Sequence, residues 1–158
     1  MNLRKLQMDD APLMLEWMHN EQVVAHLGAN FREKTLQDCL NFIEKAQGKA
    51  ENLHLAITDD KDEYMGTVSL KNIGKSCAEF AITIRECAMG KGYSRFAMSQ
   101  ILAYGIRELG LEAVYWCVSP ANSRAVRFYD KNGYCRTQTV PLHIREHYTQ
   151  ELIWYVYR

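Results

Sequence analysis

Hydrophobic positions change their spacing along the chain, and each change marks an element. Asn2 to Gln7 reads as a short strand, after which Asp9 can cap a helix with Pro12 in its first turn and Met14, Leu15, Trp17 and Met18 on one side. A second helical piece covers Glu21 to Leu27. Thr35 and Asp38 form an N-terminal box for a helix carrying Leu36, Leu40 and Ile43, which Gly48 is placed to end. The period then drops to two: Leu53, Leu55 and Ile57 alternate with more polar neighbours, as do Gly66, Val68 and Leu70, and the two strands join through Asp59 to Asp62. A further strand follows the Asn72 to Ser76 turn, with Phe80, Ile82 and Ile84 on one face and Glu79, Ala81 and Thr83 on the other, and it ends at Arg85.

Helical spacing returns from Gly92 to Leu109 through Phe96, Ala97, Ile101, Leu102 and Gly105, and Gly110 supplies a left-handed stop. Val114, Trp116 and Val118 form the next strand, Ala121 to Asn132 a helix stopped by Gly133, and Tyr134 to Val140 and Glu151 to Tyr157 the last two strands. Antiparallel strands followed by a β-α-β crossover predict an α+β fold: a mixed, mostly antiparallel sheet of about seven strands with helices on both faces.

Composition narrows the classes. A length of 158 residues suits one domain spanning 1–158. Lys plus Arg equals Asp plus Glu at 19 each, which argues against a broad basic face for nucleic acid or lipid, so any anion must be gripped locally. The cysteines (Cys39, Cys77, Cys87, Cys117, Cys135) are odd in number and lack C-x-x-C spacing, as expected for reduced thiols. No apolar run approaches membrane-spanning length, and a cytoplasmic location is expected.

The chemistry concentrates in Cys87-Ala88-Met89-Gly90-Lys91-Gly92-Tyr93, between a strand and a helix. Its glycines lack the Cβ atoms that would stop a phosphate reaching the backbone, and consecutive N–H groups at a helix start can hold an anion. An isolated G-x-G is more often an ordinary flexible turn. Thirty residues after Gly92, however, comes Asn122-Ser123-Arg124-Ala125-Val126-Arg127-Phe128-Tyr129-Asp130-Lys131-Asn132-Gly133-Tyr134, at the start of the helix after the next strand.

These paired segments resemble the GNAT superfamily of acetyl-CoA-dependent N-acetyltransferases, whose motifs read Arg/Gln-x-x-Gly-x-Gly/Ala and Asn-x-x-Ala-x-x-x-Tyr-x-x-x-Gly-Phe/Tyr. Asn122, Ala125, Tyr129, Gly133 and Tyr134 match, whereas Cys87 stands where the family has Arg or Gln. Glu16-Trp17-Met18-His19-Asn20 and the overall length resemble the branch of ribosomal-protein-alanine acetyltransferases and their relatives acting on amino-sugar nucleotides. The resemblance implies that the fourth strand splays from the Val114 to Val118 strand. Pantetheine would then pair with Ile82, Thr83 and Ile84, the turn from Cys87 to Tyr93 would take the pyrophosphate, and Asn122, Arg127 and Tyr129 would complete the cofactor site. It further implies Tyr129 as the acid that protonates the departing thiolate, Glu79 as the base acting through water, and a backbone N–H near Ile82 for the oxyanion.

Trp17, His19, Phe31, Arg32 and His143 are the expected acceptor pocket, flanked by the loop Pro141 to Gln150; an acidic acceptor would favour Arg32, Arg124 and Arg145. Trp17, Trp116 and Trp154 also read as core, two of them at alternating strand positions and Trp17 in a helix stripe. The histidines show no H-E-x-x-H spacing and no paired cysteines; His143 and His147 are i, i+4 but fall in the expected loop, and no metal is expected. The expected partners are acetyl-CoA and an amine acceptor (a peptide N-terminus, an amino-sugar nucleotide or another small amine), without nucleic acid or membrane and with a homodimer left open. A non-catalytic acyl-CoA-binding module is the alternative, and a P-loop or Rossmann protein is disfavoured by the absence of a complete G-x-x-x-x-G-K-[ST] motif, Ser69 standing where Gly74-Lys75-Ser76 would need its first glycine, and by the largely antiparallel strands.

Overall fold

The period-two segments become strands and the 3.6-period segments helices. In the computed structural model, which describes residues 1–48 and 50–158, the strands are β1 (Asn2–Lys5), β2 (Leu53–Thr58), β3 (Tyr64–Lys71), β4 (Cys77–Ile84), β5 (Ala113–Val118), β6 (Cys135–Arg136) and β7 (Ile153–Tyr157). The helices are α1 (Ala11–Met18), α2 (Glu21–Val24), α3 (Leu36–Lys45), α4 (Tyr93–Arg107), α5 (Ser123–Lys131) and α6 (Leu142–Arg145). One seven-stranded sheet runs β1-β2-β3-β4-β5-β7-β6, antiparallel except where β5 lies parallel to β4 after the α4 crossover.

Side-chain alternation divides the sheet into two faces. Val68, Leu70, Phe80, Val114 and Trp116 point into a core closed by Ala97, Met98, Ile101 and Leu102 of α4 and by Tyr129 of α5. On the other face, α1 and α3 bury Met14, Trp17, Cys39 and Ile43 against Ala56 and Tyr64, while Cys77, Tyr115, Ile144, Trp154 and Val156 form a third cluster nearer the C-terminus. Burying each large side chain is worth roughly 1.5–3 kcal/mol.

Two glycines set close approaches. Gly105 lets α4 lie on the sheet, since an added Cβ would meet Leu70 Cδ1 at 3.2 Å. Gly66 matters more: a Cβ there would lie 2.4 Å from the Thr83 carbonyl oxygen and 2.9 Å from Ile84 Cα, so only glycine lets the end of β4 lean onto β3. Gly66→Ala must push β4 outward, and overpacking of this kind costs typically 1–3 kcal/mol. The expected result is a melting temperature lowered by several degrees together with weakened coenzyme A binding. Gly28→Ala, whose Cβ meets nothing within 4 Å, should change neither. Thermal melts and calorimetry on the two variants check this.

Several expected boundaries move. Asp10, not Asp9, precedes α1, because its carboxylate accepts from Gln7 N at 2.8 Å and from both Arg4 guanidinium nitrogens at 2.8 Å. The Thr35–Asp38 box forms as expected, with reciprocal side-chain and backbone bonds. The strand expected over Tyr134 to Val140 shrinks to Cys135–Arg136, since only those residues pair with β7. The loop expected over Pro141 to Gln150 contains α6.

Candidate active site and cofactor groove

The parallel pairing of β4 and β5 covers only Cys77↔Ala113, Ala78↔Val114 and Glu79↔Tyr115, after which the two strands part. β4 continues to Ile84, still paired with β3. Its residues pass from buried through Phe80 to half-buried from Ala81 onward, as expected of a strand that loses a neighbour. From Phe80 on, the alternate peptide groups that would have bonded β5 line an open fork, an edge on which an extended amide-containing arm can pair.

Past the fork lies the glycine turn. Gly90 and Gly92 have φ of 75° and 90°, the left-handed conformations that glycine adopts without strain. Ala88 N bonds Arg85 O and Met89 N bonds Glu86 O; the next engaged backbone donor is Phe96 N, on Gly92 O. Among the described residues, the N–H groups from Gly90 to Arg95 therefore have no partner, and Gly90 has open space on its Cβ side. Such a run at the start of a 15-residue helix has the geometry that can hold an anion. This corrects the expected stretch: Ala88 is buried and, like Met89, has its N–H spent in the preceding 3₁₀ turn, while Ser94 and Arg95 join. Cys87 is exposed. Arg124 Nη1 lies 3.0 Å from Met89 Sδ, which sets a guanidinium beside the turn; Arg127 is exposed one turn further along α5. Asn122 caps α5, its Oδ1 accepting from Ala125 N at 3.3 Å.

Tyr129 and Glu79 approach the fork from opposite faces. Tyr129 is 8% exposed, packed on Trp116 and Tyr155 with ring centroids 5.6 and 5.0 Å away. Burial pushes its phenol up, so the hydroxyl keeps its proton throughout the neutral range. Glu79, 2% exposed, occupies the last position at which β4 pairs with β5 and faces away from Phe80. Its carboxylate accepts from Asn72 Nδ2 at 3.2 Å and from the Tyr148 hydroxyl, with Lys71 Nζ 3.7 Å away. Cys117 lies in the same pocket, its thiol pushed up to about 11, first by burial and then by the Glu79 charge. No sequence pattern linked Tyr148 to Glu79, 69 residues away; only its membership of the loop flanking the expected acceptor pocket pointed there.

The acceptor set is not brought together. Trp17 is sealed in the α1–α3 core, its indole N–H donating to Tyr64 Oη at 2.9 Å, so the core reading holds for it and the pocket reading does not. Phe31 packs edge-on against it at 5.1 Å. His19 Nε2 lies 2.7 Å from Lys34 O, and Arg32 is tied to Glu21. This group sits near the end of β4, where Arg85 bridges Glu16 and Glu63 and Asn20 reaches Glu86. His143 lies at the beginning of β4 instead, 3.8 Å from Cys77 Sγ. Arg145 is exposed on α6.

Residues 1–134 match the model of the acetyltransferase (GNAT) domain. The chain belongs to the GNAT acetyltransferases. It is accordingly an acyltransferase, with acetyl-CoA as acyl donor. An uncharacterized N-acetyltransferase, p20, of Bacillus licheniformis is 22% identical over 147 residues, covering 86% of this chain and 82% of the relative. Among solved structures, the spermidine N-acetyltransferase of Vibrio cholerae in complex with CoA and spermine superposes with a TM-score of 0.79 at 20% identity, over 98% of this chain and 92% of the other. A point mutant of the same Vibrio cholerae enzyme gives 0.76 at 22% identity, over 99% and 94%. The likeness extends over nearly the whole chain and shows a shared α+β fold. Among the described residues, no group of three or more His, Cys, Asp or Glu side chains could hold a metal, and no helix is long and apolar enough to cross a membrane.

Proposed function

We propose that the protein acetylates a primary amine by direct attack of the amine on acetyl-CoA in a ternary complex, within a single catalytic domain. The observation that carries this reading is the fork after Glu79 and Tyr115 leading to the unbonded N–H groups of Gly90 to Arg95. One holds an extended arm, the other a diphosphate. The helix end contributes roughly 0.3–1 kcal/mol per charge where it is exposed, and Arg124 supplies a nearby countercharge, so a chain with net charge +0 can still bind a polyanion.

In this reading pantetheine pairs with Ile82, Thr83 and Ile84, which leaves the thioester at the fork. An alkylamine with a pKa near about 10.4 is mostly protonated at neutral pH, so attack requires a proton acceptor, and Glu79 is the carboxylate at the fork. A β4 N–H near Ile82 receives the oxyanion, and Tyr129 donates to the sulfur as its charge develops. Asn122 and Arg127 support the cofactor from the α5 side. Cys87 in place of a polar family residue weakens cofactor affinity without abolishing it, because backbone donors dominate.

Spermidine and spermine head the acceptors to be assayed, because the superposable enzyme carries spermine. A ribosomal-protein N-terminal peptide and an amino-sugar nucleotide follow from the sequence resemblance. The test is thiol release from acetyl-CoA across this panel. Release with at least one amine, matched by an acetylated product in the mass spectrum, is expected; acetyl-CoA binding with no turnover on any amine would overturn the reading.

A further inference from the structure

Glu79 is almost wholly enclosed. Its side chain is 3% exposed, and the groups facing it are Lys71 and Asn72 from the end of β3, Tyr115 and Cys117 from β5, and Tyr148 from the segment after α6. Tyr148, like Lys71, Asn72 and Cys117, is half-buried; its ring stands edge-on to Trp154 at 5.3 Å with its hydroxyl turned inward onto Glu79 Oε2. The backbone fixes it there, since Tyr148 N bonds Arg145 O at 3.0 Å, while Ile144 of the same segment is completely buried. A hydroxyl held between an enclosed carboxylate and the surface is both a donor to the first and an acceptor for whatever reaches it from outside.

We infer that Tyr148 is a catalytic residue that relays the acceptor's proton to Glu79, an inference that rests on the amine-acetylation reading above. In the step, the ammonium N–H bond breaks as the Tyr148 oxygen takes that proton, and the Tyr148 O–H bond breaks as Glu79 Oε2 takes the phenolic one. The freed nitrogen lone pair forms the new bond to the thioester carbonyl; as the C–S bond breaks, the thiolate takes the Tyr129 proton, and the second proton that the acylated nitrogen must lose passes through solvent to the Tyr129 oxygen, leaving a neutral amide, a free thiol and a neutral phenol. Glu79 later returns its proton to solvent by the reverse path. The phenol never persists as a phenolate, because its own proton leaves as another arrives. Burial and the Glu79 bond both hold its ionisation well above the ordinary range, which suits a relay and not a free base.

Tyr148→Phe keeps the ring against Trp154 and removes only the hydroxyl. With the best acceptor, turnover at pH 7 is expected to drop by a factor of 30 or more. The KM for acetyl-CoA should not change, and the deficit should shrink as pH approaches the amine pKa. Glu79→Gln and the double variant should show the same deficit as Tyr148→Phe, because residues that act as one unit are not additive. A wild-type readout accompanies the variants: kcat/KM for the amine in mixed light and heavy water should bow downward, as for two protons in flight. A Tyr148→Phe enzyme of wild-type rate beside an impaired Glu79→Gln enzyme would overturn the relay and leave the acetylation reading standing. So would a loss that does not change with pH, or a linear isotope profile. Wild-type protein inactive on every amine would overturn the acetylation reading itself.

Discussion

Tyr129→Phe should slow turnover by about 10²–10⁴-fold, the range for losing a positioned general acid, with coenzyme A affinity by calorimetry close to wild type. The separation of the two effects follows from the packing. The ring, packed edge-on against Trp116 and Phe128 and tilted against Tyr155, is kept by phenylalanine, so the aromatic cluster and the fork it supports stay in place. What disappears is one hydroxyl, whose proton is held first by burial and then by the neighbouring Tyr155, Cys117 and Tyr134, with no hydrogen bond among the causes. Because the phenol is held protonated well above neutrality, the wild-type rate should show no loss of acid function up to at least about pH 9. Steady-state kinetics across the neutral and mildly alkaline range with both enzymes give the answer, and an unimpaired Tyr129→Phe enzyme would remove this residue from the mechanism.

Gly90→Val should act on the opposite term, raising the dissociation constant for coenzyme A by about tenfold or more while the fold survives. A Cβ at Gly90 meets nothing within 4 Å in the protein, so the free protein has room for it. Two effects remain. The φ of 75° is unfavourable for a β-branched residue, which opposes the cradle geometry, and the new methyl groups occupy the space where a phosphate must approach the N–H groups. A loss of one hydrogen-bonded phosphate contact at about 1.5–3 kcal/mol corresponds to roughly 10- to 150-fold in affinity. Calorimetric titration checks it, together with a melt showing that the variant stays folded. Pantetheine, which lacks the diphosphate, should bind both proteins equally.

Sequence reading reached the parts of this molecule governed by local rules. Alternation fixed β2, β3 and β4, the Thr35–Asp38 box fixed the start of α3, and Gly110 and Gly133 stop their helices with φ of 69° and 79°. The glycine turn and the Asn122 to Tyr134 helix were legible because their chemistry lies within a few residues. What escaped depends on partners distant in the chain. The α1 boundary moved to Asp10 because Arg4 and the Gln7 amide claim its carboxylate. The strand after Gly133 stopped at Arg136 because, after one last bond from Thr137 N to Trp154 O, Thr137 and Thr139 turn the chain by bonding each other. Trp17 could be read as pocket or core until Tyr64, 47 residues away, was seen to take its N–H. Tyr148 was invisible for the same reason: a tyrosine in a polar loop carries no sign that it closes over a carboxylate on β4.

The central claim concerns where the cofactor lies, and a crystal structure of the protein with bound coenzyme A tests it most directly. The account requires the diphosphate oxygens to accept from the N–H groups between Gly90 and Arg95, with pantetheine amides paired to β4 beyond Phe80 and the sulfur near the Tyr129 hydroxyl. A diphosphate bound elsewhere, with those amides facing only water, would contradict it.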